Sequence, residues 1–277
     1  MSSGDGGLPL PLHVESRGSG PPILLLHGYA ANAFSFHAWT EELSQEREVI
    51  LVELKGFGAA PKPEDDRYGP KDLAELVVRL IQARDLRDLC LLGHSFGGGV
   101  ALLVAIRLLA RGELDRLSSL VIVSGAAYHQ PLPPFARWAS WPRLWLTALR
   151  VLPSRALIRR VLRTIVHDPA TVTRTQVEAY SGQLRSPEGR RAMLEVARRI
   201  VPPDLDVLVA QYPDLHVPAL LLWGRQDPVV PLWVGERLER ELPAARLVVL
   251  DACGHLPAEE RPRESLAALL EFLREGV

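Results

Sequence analysis

A serine set between glycines at fixed spacing, Gly93-His94-Ser95-Phe96-Gly97, stands where a short apolar run ends and a longer one begins. Leu89-Cys90-Leu91-Leu92 before it has strand length, and Val100 to Ala110 after it carries an apolar helical pattern. Gly-x-Ser-x-Gly between strand and helix is the form of a sharp turn that lifts the hydroxyl out at the carboxyl edge of a sheet. Such a turn holds Ser95 in a strained backbone conformation, and side chains at 93 and 97 would crowd the same space. The helix behind the serine aims free N–H groups and its positive end at any charge forming near the hydroxyl oxygen.

A serine hydroxyl is a poor nucleophile without a base, and the base needs an orienting carboxylate. Two late segments offer both. Ala219-Leu220-Leu221-Leu222-Trp223 reads as a buried strand that breaks into Gly224-Arg225-Gln226-Asp227-Pro228, a turn with a carboxylate near its tip. Arg246-Leu247-Val248-Val249-Leu250 is another strand, opening into Asp251-Ala252-Cys253-Gly254-His255. Each candidate therefore lies just past the carboxyl end of a strand, where open α/β sheets place their sites. Ser95 is the expected nucleophile, His255 the general base and Asp227 its partner; Asp251 is the nearest rival for the acid.

With these residues in place, the chain resembles the α/β-hydrolase fold superfamily, of the esterase, lipase and C–C hydrolase type. The matching pieces are His27-Gly28-Tyr29, Gly56-Phe57-Gly58, Gly93-His94-Ser95-Phe96-Gly97-Gly98, Gly224-Arg225-Gln226-Asp227 and Gly254-His255. The order Ser95, Asp227, His255 is that of this family and not of the chymotrypsin or subtilisin types. The resemblance implies a serine hydrolase working without metal or organic cofactor, with an oxyanion hole formed by the backbone N–H groups of Phe96 and Tyr29. A second family position for the acid, after Leu120 to Val123, holds Ser124-Gly125-Ala126 and no carboxylate, which favours Asp227. Haloalkane dehalogenases and epoxide hydrolases of this fold carry a carboxylate at the elbow, so Ser95 argues against both. One departure is Glu53-Leu54-Lys55-Gly56-Phe57-Gly58-Ala59-Ala60, where the pattern usually has Asp first and Ser near the end. It reads as a conservative loop change.

Positioning these groups requires a parallel sheet. Strands are expected at Leu10 to Val14 (antiparallel), Ile23 to Leu26, Val49 to Glu53 and Leu120 to Val123, besides those already named. Helices are expected at Phe36 to Leu43 and at Pro70 to Ala83, where Leu73, Leu76, Val77, Leu80 and Ile81 recur at helical spacing. Alternating strands and helices give an α/β fold, a mainly parallel sheet flanked by helices. The alternation breaks between Ala126 and His216, so residues 126–216 are expected to form an inserted helical cap between core segments 1–125 and 217–277. Its first part gathers Tyr128, Phe135, Trp138, Trp141 and Trp145, which either form the cap's own seam or line an apolar acyl pocket. It also holds 13 Arg against 7 acidic residues; a solvated outer face is the plainer reading, attraction of an anionic group or a membrane surface the sharper one.

The 277-residue chain is 47% hydrophobic, enough for a packed core, and its net charge of −1 gives no reason to expect nucleic acid as a partner. The first seven residues read as a tail without a secretory pattern, and no run reaches membrane-span length; the expectation is a cytoplasmic protein without stable membrane association. Cys90 and Cys253 read as packing residues, and the other histidines show no metal-ligand spacing. His27 is expected to prop its loop, and His94 to point into surrounding packing. The activity expected is hydrolysis of small to medium carboxylic esters through an acyl-enzyme. C–C bond hydrolysis, thioester hydrolysis and perhydrolysis are alternatives on the same residues, and a ligand-binding or receptor-like protein is the alternative of another class.

Overall fold

The computed structural model describes residues 10–131 and 141–275. Its strands are β1 (His13–Arg17), β2 (Pro22–Leu26), β3 (Glu48–Glu53), β4 (Leu89–His94), β5 (Leu117–Val123), β6 (Ala219–Gly224) and β7 (Ala245–Leu250). They form one sheet in the order β1-β3-β2-β4-β5-β6-β7, parallel throughout except for β1, which runs antiparallel to β3. The chain leaves β2 for β3 on one side and then crosses to β4 on the other. The order therefore reverses between β2 and β4, the kind of point where α/β sheets open a crevice at their carboxyl edge.

The continuous apolar runs are explained by cover on both faces. Along β2, Leu24 and Leu26 join one buried cluster while Ile23 and Leu25 join another, and β4, β5 and β6 alternate in the same way. The first cluster takes α2 (Pro70–Ala83) and α3 (Phe96–Ala110); the second takes α1 (His37–Leu43) and the C-terminal helix Pro262–Arg274. β1 begins three residues later than its apolar residues imply. Leu10 and Leu12 pack on the core outside the ladder, while the pairing with β3 extends to Arg17 on the exposed edge.

Between β5 and β6 the described residues are helical: α4 (Pro142–Val151), α5 (Ser154–Ile165), α6 (Arg174–Ser181), α7 (Pro187–Arg198) and α8 (Leu205–Val209). After β6 come α9 (Leu232–Glu241), β7, α10 (Pro257–Glu260) and α11 (Pro262–Arg274). The aromatics expected to gather in the insert do not share one environment. Trp145 is buried, Trp141 is 65% exposed, and the Tyr128 hydroxyl donates to Glu241 on α9 at 2.8 Å. Phe135, Trp138 and the first seven residues lie outside the described residues. Five of the insert's described arginines form ion pairs: Arg155 and Arg185 pair with Glu178, Arg198 and Arg199 with Glu195, and Arg191 with Glu64. Among the described residues no helix is long and apolar enough to cross a membrane.

Trp39 ties α1 to α11: it is fully buried, and its indole N–H donates to Ser265 Oγ at 3.2 Å. Trp39→Ala is expected to destabilise the fold by about 3–5 kcal/mol. Urea unfolding would show this as a lower midpoint at an unchanged slope; an unmoved midpoint would contradict the packing.

Candidate active site

Strand β4 ends at His94 and helix α3 begins at Phe96, so the whole reversal falls on Ser95, at φ 54° and ψ −119°. That is a left-handed conformation a side chain rarely adopts, held by main-chain bonds on both sides. The Ser95 N–H donates to the Val123 carbonyl at 2.9 Å, and its carbonyl accepts from Gly98, Gly99 and Ala126. A Cβ at Gly93 would overlap the Gly97 backbone, and one at Gly97 would overlap the Leu26 and His27 carbonyls. The two glycines are thus required by close approach, as the spacing implied. Phe96 opens α3, so its N–H has no acceptor within the helix.

The three residues named from sequence meet at this turn. Asp227 follows β6 and His255 follows β7, both buried. His255 Nδ1 lies 2.8 Å from Asp227 Oδ2, and His255 Nε2 lies 2.8 Å from Ser95 Oγ. A carboxylate can only accept, so Nδ1 carries the proton and Nε2 is left to accept from the serine hydroxyl. The other Asp227 oxygen, Oδ1, accepts the N–H groups of Val229 and Val230 at 2.8 and 2.9 Å. Burial pushes the Asp227 carboxyl upward, but the histidine and these N–H donors outweigh it and hold the pKa below the ordinary value. Asp251, the rival acid, is 79% exposed and paired with Arg225.

A sequence profile described as the alpha/beta hydrolase fold matches residues 21–262. The chain belongs to that family. Among its relatives, a 2-hydroxymuconate semialdehyde hydrolase of Pseudomonas putida is 30% identical, the match covering 95% of this chain and 91% of the relative. A pimeloyl-[acyl-carrier protein] methyl ester esterase of Nitrosomonas europaea is 27% identical, covering 91% and 96%. Among solved structures, a thermophilic esterase from Thermogutta terrifontis is 28% identical with a TM-score of 0.75, covering 95% of this chain and 93% of that one.

Other polar groups of this α/β-hydrolase surround the three residues. His27 is fully buried; its Nδ1–H donates to the Gly28 carbonyl at 2.8 Å and its Nε2 accepts from Leu54 N–H at 3.1 Å. It props the loop after β2 against the end of β3. Glu53, the departure from the family pattern, accepts from the Ala33 and Ala59 N–H groups and so ties two loops together. The Tyr29 hydroxyl donates to the Met193 carbonyl of α7 at 2.9 Å, so it is committed to the insert. Cys253 is fully buried, and burial pushes its thiol pKa well above the ordinary value, against any role as a rival nucleophile. Among the described residues no three His, Cys, Asp or Glu side chains are grouped to hold a metal ion.

Two features went unseen in the sequence. His94 does point inward, but its Nε2–H donates to the backbone carbonyl of His255 at 2.8 Å, so it touches the loop that carries His255. Glu259 and Glu260, just beyond that loop, reach the insert. Tyr180 OH and Gln176 Nε2 of α6 donate to Glu259 at 2.6 and 2.7 Å, and His167 N–H donates to Glu260 at 2.7 Å. Two acidic residues at the start of a helix carry no signal of such partners, because the partners lie 79 to 93 positions away.

Burial, and then the neighbouring His255, press the His94 pKa down to about 3; burial likewise lowers that of His27. An unfolded histidine titrates near 6.5, so below that pH the unfolded chain takes up protons that the folded one refuses. The stability contributed is complete above about pH 6.5 and is lost as pH falls toward 3, at up to about 1.4 kcal/mol per pH unit for each histidine. Melting temperature is therefore expected to fall from pH 7 to pH 4. His94→Gln, which keeps a donor for the His255 carbonyl, should flatten that slope; an identical slope in the variant would remove His94 as its cause.

Proposed function

We propose that this α/β-hydrolase is a serine hydrolase acting on small to medium carboxylic esters through an acyl-enzyme, without metal or organic cofactor. The observation that carries the proposal is the unbroken chain from Ser95 Oγ to His255 Nε2 and from His255 Nδ1 to Asp227 Oδ2, each link 2.8 Å. In this reading Ser95 Oγ attacks the ester carbonyl carbon while His255 takes the hydroxyl proton. The negative charge on the carbonyl oxygen receives the Phe96 and Tyr29 N–H groups. His255 then returns the proton to the leaving alcohol, and the same imidazole activates a water that releases the acid and restores Ser95. Asp227 holds the imidazole tautomer and stabilises the imidazolium. Residues 126–216 act as a cap over the serine, consistent with the bonds from α7 to Tyr29 and from the Ile165 region to the base loop.

A second reading is supported by the P. putida relative, named for hydrolysis of 2-hydroxymuconate semialdehyde and 30% identical along 95% of this chain. There the same residues would attack the aldehyde carbonyl of the semialdehyde, and the bond broken would be C–C, with a carbon leaving group. The esterase relatives in sequence and in structure support the ester reading.

Ser95→Ala is expected to lower p-nitrophenyl ester turnover on the order of 10⁶-fold, with the fold intact by circular dichroism. Asp227→Asn should cost about 10⁴-fold, because an amide does not hold the same tautomer, while Asp251→Asn should stay near wild type. The reverse ranking of the two aspartates would overturn the assignment of the acid.

Substrate class is decided by kcat/KM across p-nitrophenyl esters from acetate to palmitate, measured beside 2-hydroxymuconate semialdehyde. The expected result is a maximum at short or medium acyl chains, with no jump in rate when emulsified lipid is added. A higher kcat/KM on the semialdehyde would move the enzyme to C–C hydrolysis. Failure of an active-site phosphonate to label Ser95, together with no turnover, would leave a binding protein.

A further inference from the structure

The loop that presents His255 is held by groups outside the three proposed catalytic residues. Gly254 N–H and Leu256 N–H, one on each side of His255, both donate to the Glu260 carboxylate, at 2.9 and 3.0 Å. The His255 N–H donates to the Ile165 carbonyl at the end of α5, at 2.8 Å. Glu260 also accepts from His167 N–H, two residues further along the same stretch of the insert. Contact there is close: a Cβ at Gly254 would come within 2.6 Å of the Ile165 carbonyl oxygen and 2.7 Å of the His167 nitrogen. One carboxylate therefore gathers three main-chain donors, two from the base loop and one from the insert. Few side chains other than a carboxylate offer enough lone pairs to accept all three.

From this arrangement we infer that Glu260 is a positioning residue for His255, and that through it the helical insert holds the general base as well as covering the site. The inference rests on the serine hydrolase reading above. Glu260 touches no reacting atom; its effect passes through the backbone at 254 and 256. A base displaced by about 1 Å from its serine can cost on the order of 100-fold in rate. Glu259 provides the contrast. Its carboxylate binds α6 side chains of the insert but accepts nothing from residues 254–256, so it fastens the insert without holding the base.

The test compares Glu260→Gln, Glu260→Ala and Glu259→Gln with wild type, using p-nitrophenyl butyrate. It also follows, by proton NMR, the far-downfield resonance of the His255 Nδ1 proton shared with Asp227. A glutamine presents one acceptor oxygen in place of two, so it leaves at least one of the three donors unpaired. Both Glu260 variants are expected to lose about 10- to 100-fold in kcat with KM changed less than about twofold, and to weaken or broaden the resonance. Glu259→Gln is expected to keep both near wild type.

Wild-type kcat and resonance in folded Glu260 variants, or equal losses in the Glu259 and Glu260 variants, would overturn the inference. Should the Glu260 variants not fold, His167→Pro takes their place, replacing the insert's N–H with a ring carbon that displaces the Glu260 carboxylate from its 2.7 Å contact. Val166 is already extended at φ −93° and ψ 157°, as a residue before proline must be. A several-fold loss of kcat with a broadened resonance supports the inference, and unchanged values overturn it. If wild type hydrolyses no ester, the ester reading fails by itself, and the His255 resonance still decides whether Glu260 holds the imidazole.

Discussion

Ser95 has to reverse the chain within a single residue, because the strand before it and the helix after it leave no spacer. A backbone held in that left-handed region costs on the order of 1–3 kcal/mol and persists only where the surroundings over-determine it. Here they do. Strand β4 is buried along its whole length in the middle of the sheet, and α3 presses an almost wholly apolar surface onto it. The close approaches this demands spread outward. With no side chain at 97, the carbonyls of Leu26 and His27 can lie against the turn, which brings the loop after β2 beside the serine. With no side chain at 98, Gly125 at the end of β5 can do the same from the other side. The turn thus sets the positions of both neighbouring loops.

Around that turn the polar groups are neutral or shared wherever they are buried. His27 and His94 are uncharged because burial penalises their cations. Asp227 keeps its charge because the imidazole and two backbone N–H groups bind it in place of water. Glu259 shows the opposite balance: burial dominates and holds its carboxyl above the ordinary value, despite the hydrogen bonds from Tyr180 and Gln176. Buried carboxylates are tolerated when several donors converge on them. That requirement makes the seam between the insert and the His255 loop a specific contact and not merely an apolar one.

The positive balance of the insert has a plain physical account in its ion pairs and in exposed faces. Arg199 sits one helical turn from Glu195, Arg155 of α5 reaches Glu178 of α6, and Arg191 reaches across to the loop at Glu64. The aromatic residues tell a similar story. Tyr128 packs against Tyr212 and under the Arg237 guanidinium, 4.0 Å from its ring centre, so its place is the seam with α9. Its membership in an apolar acyl pocket, one of the two expectations for that cluster, is therefore not what its contacts describe.

What could be read from the chain alone follows from local rules. Alternating apolar runs mark buried strands, and Gly-x-Ser-x-Gly between a strand and a helix marks the turn, because both depend on residues within a few positions of each other. The carboxyl-edge placement of Asp227 and His255 was legible for the same reason: each follows directly on a strand. The ladder of β1 was less legible, since an edge strand is set by pairing with β3 and not by its own burial. The insert's donor to Glu260 and the partners of His94 and Tyr29 were not legible at all. They are backbone atoms of distant segments, and a main-chain carbonyl or N–H has the same chemistry at nearly every position. Only the packing of the insert and of the His255 loop at the sheet's carboxyl edge decides which of those atoms arrive within 3 Å. The residues that could do chemistry are therefore a property of the sequence, whereas the groups that hold them in place are a property of the tertiary structure.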